Sequence, residues 1–335
     1  MGKAWTGFAS VRSASFKAAE AKWESMTQHE LQASYRWCQE IARKSHSSFY
    51  RSFALLRPER QRAMNALYAF ARIVDDIGDC GNPVTAASQL QSWREWIEHI
   101  HRDDSSSCVV EEQKLLKPAF QDLVTRFEVP LDLFRDLISG IESDLDASRC
   151  IRTWQDLERY CYCVAGTIGL VCIRIWGGDL SKVSQAANAC GFAFQMTNIL
   201  RDVGEDAKQG RVFLPQEAFE RYGVSRPAWL ACRPDGDWVA MMTECFDRTE
   251  ASYQLGYQVG YELDYDGQRM FSLMWQTYHQ LLGQVRRNPQ ANFDHRVSLP
   301  SMTKLRLAFS HFLSPWYSLH RPFTKPDNQS NSKSA

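Results

Sequence analysis

NALYAFARIVDDIGDC, residues 65–80, reads as helix interior that ends in a crowd of carboxylates, Asp75, Asp76 and Asp79. Tyr68, Arg72, Asp75 and Asp79 are spaced 4, 3 and 4 apart, which places them on one face of a helix. Ala66, Leu67, Ala69, Phe70, Ile73 and Val74 make the other faces apolar. A helix apolar on most sides is a buried one. Buried charges without partners cost several kcal/mol each, so this polar stripe must line something. For a single cluster of this kind the plainer reading is a solvated stripe on an amphipathic helix. A second copy shifts the balance.

That copy is GFAFQMTNILRDVGEDAKQGRVFLP, residues 191–215. Gln195, Asn198, Asp202 and Asp206 are spaced 3, 4 and 4, again on one face, while Phe192, Phe194, Met196, Ile199 and Leu200 fill the rest. Glu205 adds a carboxylate and Arg201 a cation. Two such helices facing each other bring several carboxylates around one cavity, and carboxylates held together need cations. An all-oxygen donor set suits a hard ion, above all Mg²⁺, which keeps waters and bridges to phosphate oxygens. Arg72, Arg201, Lys208 and Arg211 lie beside the carboxylates. A guanidinium makes forked bonds to phosphate that an ammonium cannot copy. Carboxylates, magnesium, a diphosphate and arginines together approach charge balance, which explains why the chain tolerates the aspartates.

Bulk composition bounds the rest. With 335 residues, the chain has room for one large domain or two ordinary ones. Lys plus Arg equals Asp plus Glu at 39 each, so no net field favours nucleic acid, and no nucleic-acid partner is expected. The 10 cysteines are scattered, several in apolar runs such as LVCIRIW, and read as reduced core fillers. Cys161 and Cys163 lack zinc spacing and a histidine pair. No G-x-G-x-x-G marks a dinucleotide site. There is no run of 18 apolar residues and no signal-like segment, which leads to the expectation of a cytoplasmic protein.

Helical periodicity dominates and strand alternation is scarce, so the fold class is all-α. Helices are expected near 29–46, 58–79, 85–102, 110–126, 130–146, 153–176, 182–207, 236–258, 266–287 and 301–313. Pro58, Pro130 and Pro227 fall at expected starts, and DCGNP and WGGD at stops. Without a long linker or internal repeat, residues 29–313 read as a single domain. Residues 1–28 form an N-terminal extension, and 314–335 a polar tail expected to be disordered at its end.

These motifs together resemble the squalene/phytoene synthases, head-to-head prenyl diphosphate synthases of the isoprenoid synthase fold, in their bacterial form. The resemblance runs from about residue 35 to 310 and rests on YAFAR with DDIGD, on NILRDVGED with GRVFLP, and on YCYCVAGTIG at 160–169 between them. SHSSFY, residues 45–50, is similar to the family's serine segment, although His46 stands where some relatives have a small polar residue. The resemblance implies a helical bundle around an elongated pocket, with two or three Mg²⁺ ions held by Asp75, Asp79, Asp202 and Asp206. Ser48, Arg72, Arg201, Arg211, Arg296 and Tyr278 would bind diphosphate. Tyr160 would act catalytically, and Tyr68, Phe49, Val164, Gly169, Gln195 and Asn198 would line the pocket. Small residues at Ala165, Gly166 and Gly169 serve either close helix packing or room for a prenyl chain.

The implied reaction joins two prenyl diphosphates 1'-1 through a cyclopropylcarbinyl diphosphate. Two farnesyl (C15) substrates, giving presqualene diphosphate, squalene or dehydrosqualene, are favoured over two geranylgeranyl (C20) substrates giving phytoene. The stretch 47–79 looks closer to bacterial C15 enzymes. Reduction by NADPH stays open, since reducing members lack the dinucleotide motif. A non-catalytic relative acting in binding or assembly is disfavoured because both aspartate motifs are whole. A chain-elongating or cyclising terpene enzyme is disfavoured by VAGTIG together with RDVGED. A monomer or weak dimer is expected. Leu305, Phe309 and Phe312 in TKLRLAFSHFLSPWYSLH suggest either a final packing helix, the preferred reading, or a peripheral contact with the inner membrane face.

Overall fold

The computed structural model describes residues 28–45, 48–101, 110–146, 150–300, 302–303 and 306–307. The N-terminal extension, His46, the tail, and Leu305, Phe309 and Phe312 lie outside them, as do the side chains of Ser48 and Phe49. Among the described residues there are helices and turns and no strand. The helices are α1 (Gln28–Lys44), α2 (Ser48–Ser52), α3 (Pro58–Gly78), α4 (Pro83–Glu98), α5 (Glu111–Arg126), α6 (Asp132–Ser143) and α7 (Trp154–Cys161). They continue as α8 (Thr167–Ile175), α9 (Leu180–Lys208), α10 (Gln216–Tyr222), α11 (Arg226–Leu230), α12 (Trp238–Gly256), α13 (Tyr265–Arg287) and α14 (Ala291–Asp294).

Local chemistry sets the ends. Pro58 and Pro83 begin α3 and α4, where a missing N–H costs nothing. The Asn82 side chain caps α4 by accepting from the Val84 and Thr85 amides at 3.1 and 3.2 Å. Thr153 and Asp156 form a reciprocal capping box at the start of α7. Pro118 interrupts the ladder of α5, and Ser34 of α1 fills the gap. The Ala119 amide donates to Ser34 Oγ at 3.0 Å, and that hydroxyl donates to the Leu115 carbonyl at 2.6 Å.

Two apolar cores result. In the first, the rings of Trp93, Trp96, Phe120 and Phe134 surround Phe70 at centroid distances of 5.1 to 6.5 Å. Burial alone is worth roughly 1.5–3 kcal/mol per side chain of this size. In the second, Trp229 meets Phe219 and Phe293 edge-on at 5.2 and 4.8 Å. α9 belongs to both: Val183, Ala186, Ala187 and Cys190 sit in the first core, Phe192 through Val203 in the second. At 29 residues it is the beam between them. Arg60 of α3, paired with both Asp264 and Asp266, ties the start of α3 to the start of α13.

Two expectations need correction. Residues 153–176 are not one helix. Tyr162–Gly166 forms a π turn between α7 and α8, and its extra residue rotates α8 by about 100° relative to an unbroken helix. There α9 packs backbone against backbone: a Cβ on Gly191 would lie 2.6 Å from the Gly166 Cα. Periodicity of side chains cannot register such a constraint. In the stretch 210–235, where only a helix start at Pro227 is expected, α11 begins at Arg226 as that proline implies, and α10 is unforeseen; each is too short to show a period.

Candidate active site

α3 carries Asp75 and Asp79 out of the first core, and α9 carries Asp202 and Asp206 out of the second. The four line one cavity of about 230 Å³ at the junction, together with Gln195, Asn198, Tyr160 and Arg211. Asp144, Ile141, Gly78, Ile199 and Phe213 complete its wall. Asp144, which ends α6, escapes a reading of the sequence because it belongs to no stripe; its only signal there is a carboxylate closing an apolar helix. Phe213 lies inside the second motif but reads as core.

Of the other expected site residues, Arg72, Arg201, Arg296 and Tyr278 contact side chains of this cavity. Arg201 is paired with Asp202, its neighbour in the chain, its Nε donating at 2.6 Å. Arg296 donates to both oxygens of the same carboxylate at 3.0 and 3.3 Å. Arg72 grips Asp76, Nε to Oδ2 at 3.0 Å, and stands 3.8 Å from Asp75. Tyr278 stacks on Phe194 at 4.7 Å and shares a hydrogen bond with Asn198. Asn198 in turn donates to Gln195 at 3.4 Å. Tyr68 meets the edge of Phe53 at 6.4 Å. Tyr68, Val164, Gly169, Tyr278, Arg72, Arg201 and Arg296 are not among the residues that wall the 230 Å³ cavity. Tyr68 packs against the first core and Val164 against the second. Phe194 and Trp275 pack against both cores at once. The small residues divide by role: Gly166 is used in packing, whereas a Cβ on Gly169 would meet nothing within 4 Å.

Tyr160 is positioned from three directions. The capping box fixes the start of its helix. The Gln216 and Glu217 amides donate to the Ile151 and Arg152 carbonyls at 2.9 and 3.0 Å, which pins the segment after the second motif to that start. Phe213 thereby stacks on Tyr160 at 5.3 Å. The Tyr160 hydroxyl donates to Asp144 Oδ2 at 2.9 Å.

Burial first, and crowding second, govern the electrostatics. Burial pushes the Asp206 carboxyl up to about 7; Asp202, Glu205 and Asp144 push the same way, and Arg211 opposes them. Asp75 is also raised, by desolvation first and then by Asp79, with Arg72 opposing. Its side chain is 59% accessible, but the accessible part faces a cleft, where surrounding protein still displaces bulk water. Asp144 acts on both Asp75 and Asp206, so it lies between the two motifs. Carboxylates whose charged form is disfavoured in this way are poised for a cation that would favour it. The donors are all oxygen, which fits Mg²⁺ in kind. Among the described residues no three acidic, histidine or cysteine side chains converge on one point, and both oxygens of Asp202 are occupied by arginines. Binding an ion there requires those arginines to let go.

Comparison with known proteins gives the family. Residues 42–303 match the family model described as squalene/phytoene synthase. The chain belongs to the squalene/phytoene synthase family. Members are prenyltransferase-type enzymes that condense prenyl diphosphates head to head. The chain is 34% identical over 284 residues to a phytoene synthase of Mycobacterium tuberculosis, covering 83% of this chain and 90% of that one. It is equally identical to the chloroplastic phytoene synthase 3 of Zea mays, of whose length it spans 64%. A crystal structure of a dehydrosqualene synthase in complex with ligand superposes with a TM-score of 0.74 at 26% identity, covering 87% of this chain and 99% of that one. Squalene synthase HpnC from Alicyclobacillus acidocaldarius, at 22% identity and a TM-score of 0.69 over 80% of this chain and 98% of that one, shares the fold.

Proposed function

We propose that this chain joins two farnesyl diphosphates 1'-1 and releases diphosphate, with Mg²⁺ bound between the two aspartate motifs. The observation that carries this reading is the meeting of Asp75 and Asp79, from the first core, with Asp202 and Asp206, from the second, around one cavity. Bound Mg²⁺ would neutralise the leaving diphosphate as a Lewis acid. Arg211 at the cavity wall, and Arg201 and Arg296 once released from Asp202, supply forked donors to the same phosphate oxygens. Phe194 and Trp275, which pack against both cores, would shield a carbocation from water. Gln195 and Asn198 orient the reacting end. The C15 preference is supported by the stretch 47–79 and by likeness along nearly the whole of a dehydrosqualene synthase. A second reading, two C20 substrates joined to phytoene, is supported by the 34% identity to phytoene synthases.

The test is to supply the purified protein with each prenyl diphosphate, with and without NADPH, and identify products by mass spectrometry. Turnover of C15 is expected, lost on chelation and restored by Mg²⁺. Good turnover of C20 without C15 establishes the second reading. Consumption of neither leaves the non-catalytic relative. Asn at 75, 79, 202 or 206 is expected to lower turnover roughly a hundredfold or more, as for removal of groups that stabilise transition-state charge. Full activity in two such variants on opposite helices would refute the two-stripe site.

A further inference from the structure

We propose that Asp144 is a positioning residue for the condensation: it holds the Tyr160 hydroxyl so that the phenol oxygen presents its lone pairs to the cation formed in the cavity. This rests on the reading of the chain as a condensing enzyme. Asp144 caps the C-terminal end of α6, where the helix dipole disfavours a negative charge. A carboxylate placed against that preference needs a compensating use. It lines the cavity and accepts from Tyr160 at 2.9 Å. It belongs to neither aspartate stripe and comes from a third element, so it bears on the cavity from outside the two motif helices.

The rest of the geometry makes Tyr160 a fixed post. The residue is 6% exposed, and its ring lies flat on Phe213, with 15° between the planes. With the ring clamped, the direction of the O–H is the remaining freedom, and Asp144 removes it. A hydroxyl whose proton points at a carboxylate turns its lone pairs elsewhere and carries more negative charge on oxygen. Facing a cavity where an allylic cation forms, that oxygen stabilises positive charge without reorganising at the moment of reaction. With the hydroxyl free to rotate, its proton would point at the cation for part of the time, and water would capture the cation more often.

The experiment compares wild type, Asp144→Asn, Asp144→Glu, Tyr160→Phe and the double variant Asp144→Asn with Tyr160→Phe. It measures kcat, KM, the ratio of prenyl alcohol to condensed product, and Mn²⁺ affinity by electron paramagnetic resonance. Asp144→Glu keeps the charge and shifts the oxygens by one methylene. Both Asp144 variants are expected to lose roughly tenfold to a hundredfold in kcat, as second-layer partners do. KM and Mn²⁺ affinity should stay within about threefold, and the alcohol share should rise. The double variant should be no worse than Tyr160→Phe alone, because the two residues act as one unit. Should Asp144→Asn not fold, Asp144→Glu carries the same expectations.

Wild-type kcat and alcohol share in the folded Asp144 variants overturn the inference. So do additive losses, and so does a fall in Mn²⁺ affinity that parallels the loss of kcat, which makes Asp144 a metal ligand instead. Failure of the wild-type protein to condense any prenyl diphosphate is a separate result and overturns the functional reading itself.

Discussion

Asp202 and Asp206 stand one turn apart on the same face of α9, yet their surroundings differ. Asp202 is gripped by Arg201 and Arg296, whereas Asp206 faces Asp144 and Glu205 with Arg211 as its opposing charge. Burial, more than any neighbour, lifts Asp206 to about 7. The unfolded chain ionises this group near pH 4, so between about 4 and 7 the native state binds more protons than the unfolded one. The contribution of Asp206 to the stability of the metal-free protein therefore falls as pH rises through that window and levels off above it. In thermal melts with chelator present, Asp206→Asn is expected to remove this drain. The gap in melting temperature in favour of the variant should open between about pH 4 and 7 and hold constant at higher pH. A gap independent of pH would show that Asp206 is ionised throughout.

At the level of elements, Gly204 shows why the second motif has a glycine between Asp202 and Asp206. A Cβ there would lie 2.4 Å from the Phe293 carbonyl oxygen, so α14 rests directly on the backbone of α9. That contact brings Arg296 within reach of Asp202. Gly204→Ala must push α14 away and is expected to cost about 1–3 kcal/mol, the range for overpacking. It should lower the melting temperature and weaken pyrophosphate binding in calorimetry. Gly283, on α13, is the control: its Cβ would meet nothing within 4 Å, and Gly283→Ala should stabilise by about 0.5–1 kcal/mol. Equal effects at the two positions would mean that α14 yields freely.

Over the whole molecule, the aspartate stripes are attached to different cores, and α9, which carries residues of both, joins them. A metal diphosphate bound to both stripes would link the cores across the cavity. Mg²⁺ alone would have to compete with the arginines on Asp202, and pyrophosphate alone would meet bare carboxylates. The two together are therefore expected to raise the melting temperature well beyond the sum of their separate effects. At about a hundredfold over the dissociation constant the linkage is worth about 2.7 kcal/mol. The same ligands should do little for Asp75→Asn or Asp206→Asn. Stabilisation by pyrophosphate without Mg²⁺ would place the anion on the arginines alone.

The sequence by itself determined the helical class, most helix spans and both aspartate stripes, because these are local properties: a period near 3.6, a proline at a start, carboxylates three and four apart. It also carried the family resemblance, which the match over residues 42–303 bears out. Tertiary structure alone decided what faces what. The π turn at Tyr162–Gly166 exists where two glycine backbones touch, a contact between segments 25 residues apart in sequence numbering, Gly166 and Gly191. The start of α10 is held by amides donated to the extended entry of α7, and that pairing is what sets Phe213 on Tyr160. Asp144 stood in the sequence as one acid among many. Only the packing of α6 on the π turn that follows α7 brought it to Tyr160 and between the two motifs, because long-range packing, not periodicity, determines which carboxylates share a cavity.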